Sequence, residues 1–466
     1  MDPVELFHRV AATVPAYQEF LAEHGIKPSE ITTFQDFKRL PFTTKDNYTR
    51  RHPLPRLCRD GVIGDVIAVS SGSTGVPSYW PRSAADERVI ADRFEEVFRD
   101  AFRARERTTL AVVCFALGTW VGGLFTLNCL RHLAERGYPI TAVAPGSDRR
   151  EIARVLPDLA PHFDQVVLLG YPPFLKDVID SCALPWAEWD VKLVTAGEVF
   201  SEEWRTLMAE RTGMADPVHG TASLYGTADA GVLGNETPLS IEIRRFLAGR
   251  PGTARELFGE SRLPTLVQYD PDVRFFEEHQ GTLLFSGDNG VPLVRYHIAD
   301  EGGLIEHGRM LEFVRGHGFE PEATGPERPF AYVFGRSHFT VSYYGANIYP
   351  ENIAIGLEQP EVASAVTGKF VLEVLEDAER ARHLTVTVEL RPGLAGDEDD
   401  PPPGVPSDGE LADIVARVIM LQLQRLNSEF AAYVPVERQL PVVRLRAAGD
   451  PGYFPPGAKH RYTRSS

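Results

Sequence analysis

The sequence predicts an α/β protein. A large unit is built on a mostly parallel sheet with helices on both faces, and a small α+β unit follows it. Three observations point there. Between residues 66 and 194, short apolar runs alternate with amphipathic stretches, the spacing of strand–helix–strand repeats. Several of those runs close on glycine-containing turns, at Ser70 to Gly75, Gly118, Gly146, Gly170 and Gly197. From Gly281 onward the pattern changes to apolar pairs joined by a tight turn, Asp288-Asn289-Gly290, which is a hairpin signature. In a parallel sheet, ligands sit beyond the C-terminal strand ends, so the glycine turns mark one edge as the candidate binding edge.

The elements follow in order. Residues 1–21 mix Asp2, Glu5, His8 and Arg9 with apolar residues, an amphipathic helix rather than a signal peptide. Leu40-Pro41-Phe42-Thr43-Thr44-Lys45-Asp46 interrupts regular structure, and Thr44 is suited to cap a helix starting near Lys45. Residues 66–69 form a strand. The loop Ser70-Ser71-Gly72-Ser73-Thr74-Gly75-Val76-Pro77 comes next, with hydroxyls and backbone N–H groups able to face a polyphosphate. It lacks the Walker pattern, and the same composition suits a plain linker. A surface helix is expected over 86–105, with Val89, Phe94, Val97 and Phe98 on one face. Residues 110–130 carry no charge and are long enough to span a bilayer. Gly118, Gly122 and Gly123 and balanced flanking arginines favour two buried elements instead, a strand at 110–115 and a helix at 121–132. Strands at 140–143, 165–169 and 191–194 alternate with helices at 149–156 and 174–181. Beyond residue 334, strands at 339–343, 370–375 and 384–390 accompany helices at 351–357 and 410–430. Between them, 392–409 is acidic and rich in Pro and Gly, which predicts a mobile loop.

Composition bounds the function. With 466 residues, 43% of them hydrophobic, the chain can bury one large core and a second small one. Its net charge is −17, from 48 basic and 65 acidic residues, and no basic tract stands out. Nucleic acid is therefore not an expected partner, and neither is a membrane. Cys58, Cys114, Cys129 and Cys182 form no C-x-x-C pair, which fits a reducing cytoplasm and argues against a disulfide scaffold or zinc knuckle.

Three further stretches carry candidate chemistry. Tyr225-Gly226-Thr227-Ala228-Asp229 offers a flat ring on which a base can stack and a hard oxygen ligand suited to Mg²⁺. An ordinary turn with a buried tyrosine reads the same way. Asp300 closes a strand, where a carboxylate can take both hydroxyls of a ribose or serve as a simple turn residue. The tail carries Lys459 in a short basic segment, which in isolation reads as a solvated end.

Together and in order, these stretches resemble the phenylacetate–CoA ligase branch of the adenylate-forming ligases. Residues 40–46 look like that branch's N-terminal signature, and 70–77 like the superfamily phosphate loop. Ala196-Gly197-Glu198 with Ser201-Glu202-Glu203-Trp204-Arg205 is similar to its adenine-side motif. Residues 225–229 resemble the Tyr-Gly-x-Ser/Thr-Glu motif, and 292–300 the ribose motif. Gly335-Arg336-Ser337 and Gly345-Ala346-Asn347-Ile348-Tyr349-Pro350 resemble the hinge and the start of a mobile C-terminal domain. The resemblance implies a large domain over 1–334, including a β-barrel-like portion, and a small mobile domain over 335–466.

It also implies a chemistry. A bound carboxylate attacks the α-phosphate of ATP, pyrophosphate leaves, and the acyl-adenylate passes to a thiol. ATP and Mg²⁺ are the implied cofactors, with CoA as a third. A small acid, aromatic by preference, is the implied substrate, with CoA, a carrier protein or an amine as acceptor and a homodimer allowed. Ser70, Ser71, Gly72, Ser73, Thr74 and Gly75 go to the phosphates. Gly197, Glu198, Tyr225, Gly226 and Thr227 go to the adenine side, and Asp300 and Arg336 to the ribose. Asp229 stands where the family places its Mg²⁺-binding glutamate. Lys459 would reach in from the small domain to bridge α-phosphate and attacking oxygen. Phe115, Trp120 and Tyr171 are candidates for an apolar acid pocket by position, and core packing accounts for them equally well.

The sequence departs from the family at four points. Val76 replaces the loop lysine, Ala228 replaces Thr/Ser, Asp229 is one methylene short, and His338 and Phe339 stand where hinge acids are usual. Those departures keep two other readings open. One is adenylate formation without a thioester, including amine ligation and an ATP-dependent diazotase using nitrite. The other is a nucleotide-binding protein that has lost catalysis.

Overall fold

A computed structural model describes residues 1–70, 78–119, 121–197, 199–323, 325–336, 341–343, 346–376, 382–393, 408–427, 430–431, 434–455, 460 and 462–463. The loop 71–77, expected to bind phosphates, Trp120, Glu198, Ser337, Gly345, the 394–407 stretch and Lys459 lie outside them.

The strands, in chain order, are β1 Val66–Ser70, β2 Ser78–Arg82, β3 Thr109–Val113, β4 Ile140–Val143, β5 Gln165–Gly170, β6 Val191–Ala196, β7 Thr221–Thr227, β8 Gly231–Asn235, β9 Thr265–Gln268, β10 Arg274–His279, β11 Thr282–Gly287, β12 Leu293–Ile305, β13 Phe330–Arg336, β14 Val341–Tyr343, β15 Ala346–Ile348, β16 Val366–Glu376, β17 Arg382–Leu390 and β18 Val442–Arg446. A mixed sheet of 11 strands runs β10-β11-β12-β13-β9-β8-β7-β6-β5-β3-β4. Its half from β4 to β7 is parallel. From β7 onward every pairing is antiparallel, so the antiparallel portion continues the parallel one edge to edge.

Strand alternation explains the two layers of helices. Val167 and Leu169 point to one face, into a core with the helix Val121–Glu135. Val166 and Leu168 point to the other, into a core with the helices Arg149–Leu159 and Glu202–Thr212. Each face of a buried parallel sheet must be covered in this way. The uncharged 110–130 run is divided between β3 and the helix Val121–Glu135, and among the described residues no helix is long and apolar enough to cross a membrane. The surface helix begins at Ala84, capped by Ser83, and buries Ile90, Phe94, Val97 and Phe98. Val89, expected on that face, is 37% exposed: it sits one residue out of phase with Ile90, which takes its place.

The N-terminal helices Pro3–Thr13 and Pro15–Glu23 share a core with the antiparallel strands. Beyond β13, a three-stranded sheet β16-β17-β18 packs on the helices Pro350–Leu357 and Asp408–Leu426. Among the described residues, its core draws only on those from Val341 onward.

Candidate active site at the end of the parallel strands

Local folding first brings the 40–46 segment to the sheet. Thr43 forms a bridge beside Tyr296 of β12. Its N–H donates to Arg295 O at 3.1 Å, its O accepts from His297 N at 2.9 Å, and its hydroxyl donates to Val294 O at 2.8 Å. Arg295 holds the same segment from the other side. Its φ is +46°, and its guanidinium donates to Lys38 O and Leu40 O at 2.5 Å and forms a two-pronged pair with Glu277 at 2.9 Å. Thr44 then caps the turn Lys45–Thr49 by a reciprocal bond with Asn47, which fixes the backbone that carries Lys45.

Lys45 lands on Asp229. Its Nζ lies 3.3 Å from Asp229 Oδ1 and 5.8 Å from the Trp80 ring centre. Tyr296 donates its O–H to Asp229 Oδ2 at 2.5 Å. Asp229 itself is 1% exposed. Oδ1 has no hydrogen bond among the described residues, so the Lys45 contact is an ion pair at charge–charge range. Arg82, also buried, donates to Ala228 O at 2.7 Å and Asp229 O at 3.1 Å. Burial pushes its guanidinium below the ordinary arginine range, and Asp86 and Asp229 oppose that. Arg82 therefore pins the backbone that presents Asp229.

A second pair joins the 225–229 and 292–300 stretches. Tyr225 donates its O–H to Asp300 Oδ2 at 2.8 Å, both groups being buried. Asp300 also stands opposite Arg336 in the β12–β13 register, which places the two predicted ribose residues on neighbouring strands. Gly226 must lack a side chain, because a Cβ there would meet Gly231 O at 2.6 Å. Thr227 closes the same turn by accepting from Ala230 N at 3.1 Å.

Gly197 ends β6 with φ +82°, and a Cβ on it would come within 2.8 Å of the Tyr171 ring. Tyr171 thus lies against the Gly197 backbone. Phe115 meets Tyr171 edge-on, with centroids 5.0 Å apart, and is 3% exposed within the core. The loop that follows is held from below by buried ions. Arg205 donates to Glu202 at 2.9 Å and Glu236 at 2.8 Å, and Arg244 donates to Phe200 O at 2.5 Å and pairs with Glu202. Ser70 is fixed by backbone pairing with Ser78. The tail next to Lys459 is anchored by His460, whose Nε2 is 2.6 Å from Phe370 O. Burial pushes its imidazole down to about 4.

The structure thus groups Tyr225 with Asp300, Gly197 with Tyr171 and Phe115, and Asp229 with Lys45, Tyr296 and Arg82. The last three were not assigned from the sequence. Lys45 and Tyr296 lie inside quoted motifs, but their meeting depends on the Thr43 bridge, which has no local signal.

The geometry and the fold place the chain among proteins of one class, those with the adenylate-forming ligase fold. Matching solved structures include 2-hydroxyisobutyryl-CoA ligase in the postadenylation state in complex with R3-HIB-AMP, at TM-score 0.63 and 15% identity over 100% of this chain and 88% of that one. An open conformation of that ligase in complex with 2-HIB-AMP and CoA matches at TM-score 0.54 and 16% identity, over 100% and 91%. In sequence, the phenylacetate-coenzyme A ligase of Aromatoleum evansii is 22% identical over 397 residues, covering 81% of this chain and 78% of the relative. That of Thermus thermophilus is 24% identical over 364 residues, covering 75% and 72%. No family model matches the chain. The sequence matches are thus to phenylacetate-coenzyme A ligases, at 22–24% identity.

Proposed function

We propose that the chain is an ATP-dependent adenylate-forming ligase. It activates a small carboxylic acid as the acyl-adenylate and passes the acyl group to the thiol of CoA or a carrier. The observation that supports this best is that the 225–229 stretch carries two polar pairs, buried Tyr225 with Asp300 and buried Asp229 with the half-buried Lys45, which tie it to β12 and to the 40–46 segment.

In this reading the adenine lies against Gly197, Tyr171 and Tyr225, and the ribose hydroxyls reach Asp300 and Arg336. The carboxylate oxygen of the acid attacks the α-phosphorus as the bond to the β-phosphate oxygen breaks. Pyrophosphate leaves, and two anions must be brought together, so cations decide the rate. Val76 contributes none. Lys45 takes over that duty from the N-terminal segment, and Lys459 contributes the second ammonium from the tail.

Mg²⁺ fits the same place. A magnesium ion is commonly held by one or two carboxylates plus substrate phosphates, and Asp229 Oδ1 is a buried hard oxygen with no hydrogen bond among the described residues. When bound there, the ion would neutralise phosphate charge. Lys45 would then turn from Asp229 toward the phosphates. In the second step a thiolate attacks the acyl carbon, and AMP leaves. The small unit over 335–466 is read as the mobile domain that swaps the two steps. A core confined to residues from Val341 onward supports that division, since a domain carries its own core.

The test is pyrophosphate release over a panel of aryl and alkyl acids, with nitrite included. Release that requires one acid, followed by a CoA adduct of that acid by mass spectrometry, is the expected outcome. Adenylate without a CoA adduct would redirect the reading to an amine or other acceptor.

A further inference from the structure

The loop between the helix Pro251–Phe258 and β9 touches both sides of the segment 337–340. Arg262 is 7% exposed. Before that segment it meets Glu260, from Nε at 2.7 Å, and Glu301 of β12, from Nη2 at 3.3 Å. It also covers the Phe334 ring of β13, 4.4 Å from the centroid. After the segment it covers the Tyr349 ring at 3.4 Å and faces Glu351 Oε2 from Nη1 at 3.9 Å. Its neighbour Ser261 donates to Leu426 O at 2.9 Å, at the end of the long C-terminal helix. Gly335, at φ +106°, lies beside Glu351, whose Oε1 would be in ordinary contact at 3.6 Å with a Cβ there.

We propose that Arg262 is a positioning residue that clamps the small unit in the orientation seen here, taking over the hinge role that His338 and Phe339 cannot fill. This rests on the reading of 335–466 as a mobile domain. The partners divide unequally. Glu260, Glu301 and Phe334 stay with Arg262 whatever the small unit does, whereas Tyr349 and Glu351 leave when it rotates. Arg262 therefore remains paired in either orientation, and the guanidinium is not stranded in a buried site without a carboxylate. What rotation gives up is one ring face and one long ion pair. A desolvated cation–π contact is the larger of these, and its loss shifts the ratio of orientations by about tenfold. A group with differential contacts to two states biases their populations by that difference and no more.

The experiment measures spin-label distances in the full chain between Arg88→Cys and Arg417→Cys, both exposed positions, in a Cys182→Ser background. Distances are recorded without ligand, with ATP and an acid, and with CoA added. The expected result is two distance populations whose weights move with ligand. Arg262→Ala and Tyr349→Leu should both transfer weight away from the distance in this structure, with Arg262→Lys intermediate. ATP–pyrophosphate exchange and overall turnover should then change by unequal factors in Arg262→Ala. If the parent moves with ligand and neither variant alters the weights, the clamp is wrong. If the parent shows one unchanging distance under every condition, the mobile-domain reading fails first and takes the clamp with it.

Discussion

At the residue scale, the account turns on Lys45 and Tyr225. Lys45 is 3.3 Å from the buried Asp229 and, in the proposed function, supplies the cation that Val76 does not. Lys45→Met should lower kcat/KM for ATP by about 10²- to 10³-fold, the cost of removing one preorganised charge stabiliser. The melting temperature should fall by only a few degrees, because Tyr296 still donates to Asp229. Steady-state kinetics beside a thermal melt checks this, and an unchanged kcat/KM would remove Lys45 from the site. Tyr225→Phe keeps the ring but removes the donor to Asp300. The KM for ATP should rise while the maximal rate changes little, since base stacking survives and ribose placement does not. Gly197→Ala puts a methyl within 2.8 Å of the Tyr171 ring at a backbone φ of +82°. Nucleotide affinity by calorimetry should drop by at least tenfold, an effect of about 1.4 kcal/mol.

At the element scale, the helix Glu202–Thr212 and the helix Pro350–Leu357 meet through one polar contact. Ser201 caps the first helix and donates its hydroxyl to Glu358, just beyond the second. Burial, with Glu203 adding to it, pushes the Glu358 carboxyl up to about 8, against the Ser201 hydrogen bond, Lys176 and Arg244. The buried setting therefore favours the protonated acid despite the contact. Undocked, Glu358 returns toward 4.5, so the docked form holds more protons between those two values. Docking should be strongest at the acid end of that window, weaken as pH rises through it, and change no further above about 8. Hydrogen exchange of the Pro350–Leu357 helix across pH 5.5 to 8.5, at rates corrected for intrinsic pH dependence, should show that trend. Glu358→Gln should flatten it, and a trend that persists in Glu358→Gln would assign it to another group.

At the scale of the whole molecule, some of the architecture was legible in the sequence and some was not. The strands β3 and β5 are buried on both faces, so they read as apolar runs such as Val166-Val167-Leu168-Leu169. β10 is hard to read because its residues alternate only weakly in polarity: Arg274 and Phe276 are buried, Glu277 is held by Arg295, and of the six only Glu278 is exposed. The quoted motifs are locatable because each is a short local run in which glycine, tyrosine or a carboxylate stands out. Arg82 carried no such signal, since its role is to hold two carbonyls of a distant turn. The union of Lys45 with Asp229 was equally silent, because a single bridge at Thr43 creates it.

The most direct test of the central claim is mass spectrometry of the products formed when ATP and a panel of small acids are mixed with the full chain. The account predicts one species at the mass of an acid joined to AMP with loss of water, formed together with an equal amount of pyrophosphate. No such adenylate from any acid, and pyrophosphate at the no-enzyme level throughout, would contradict it.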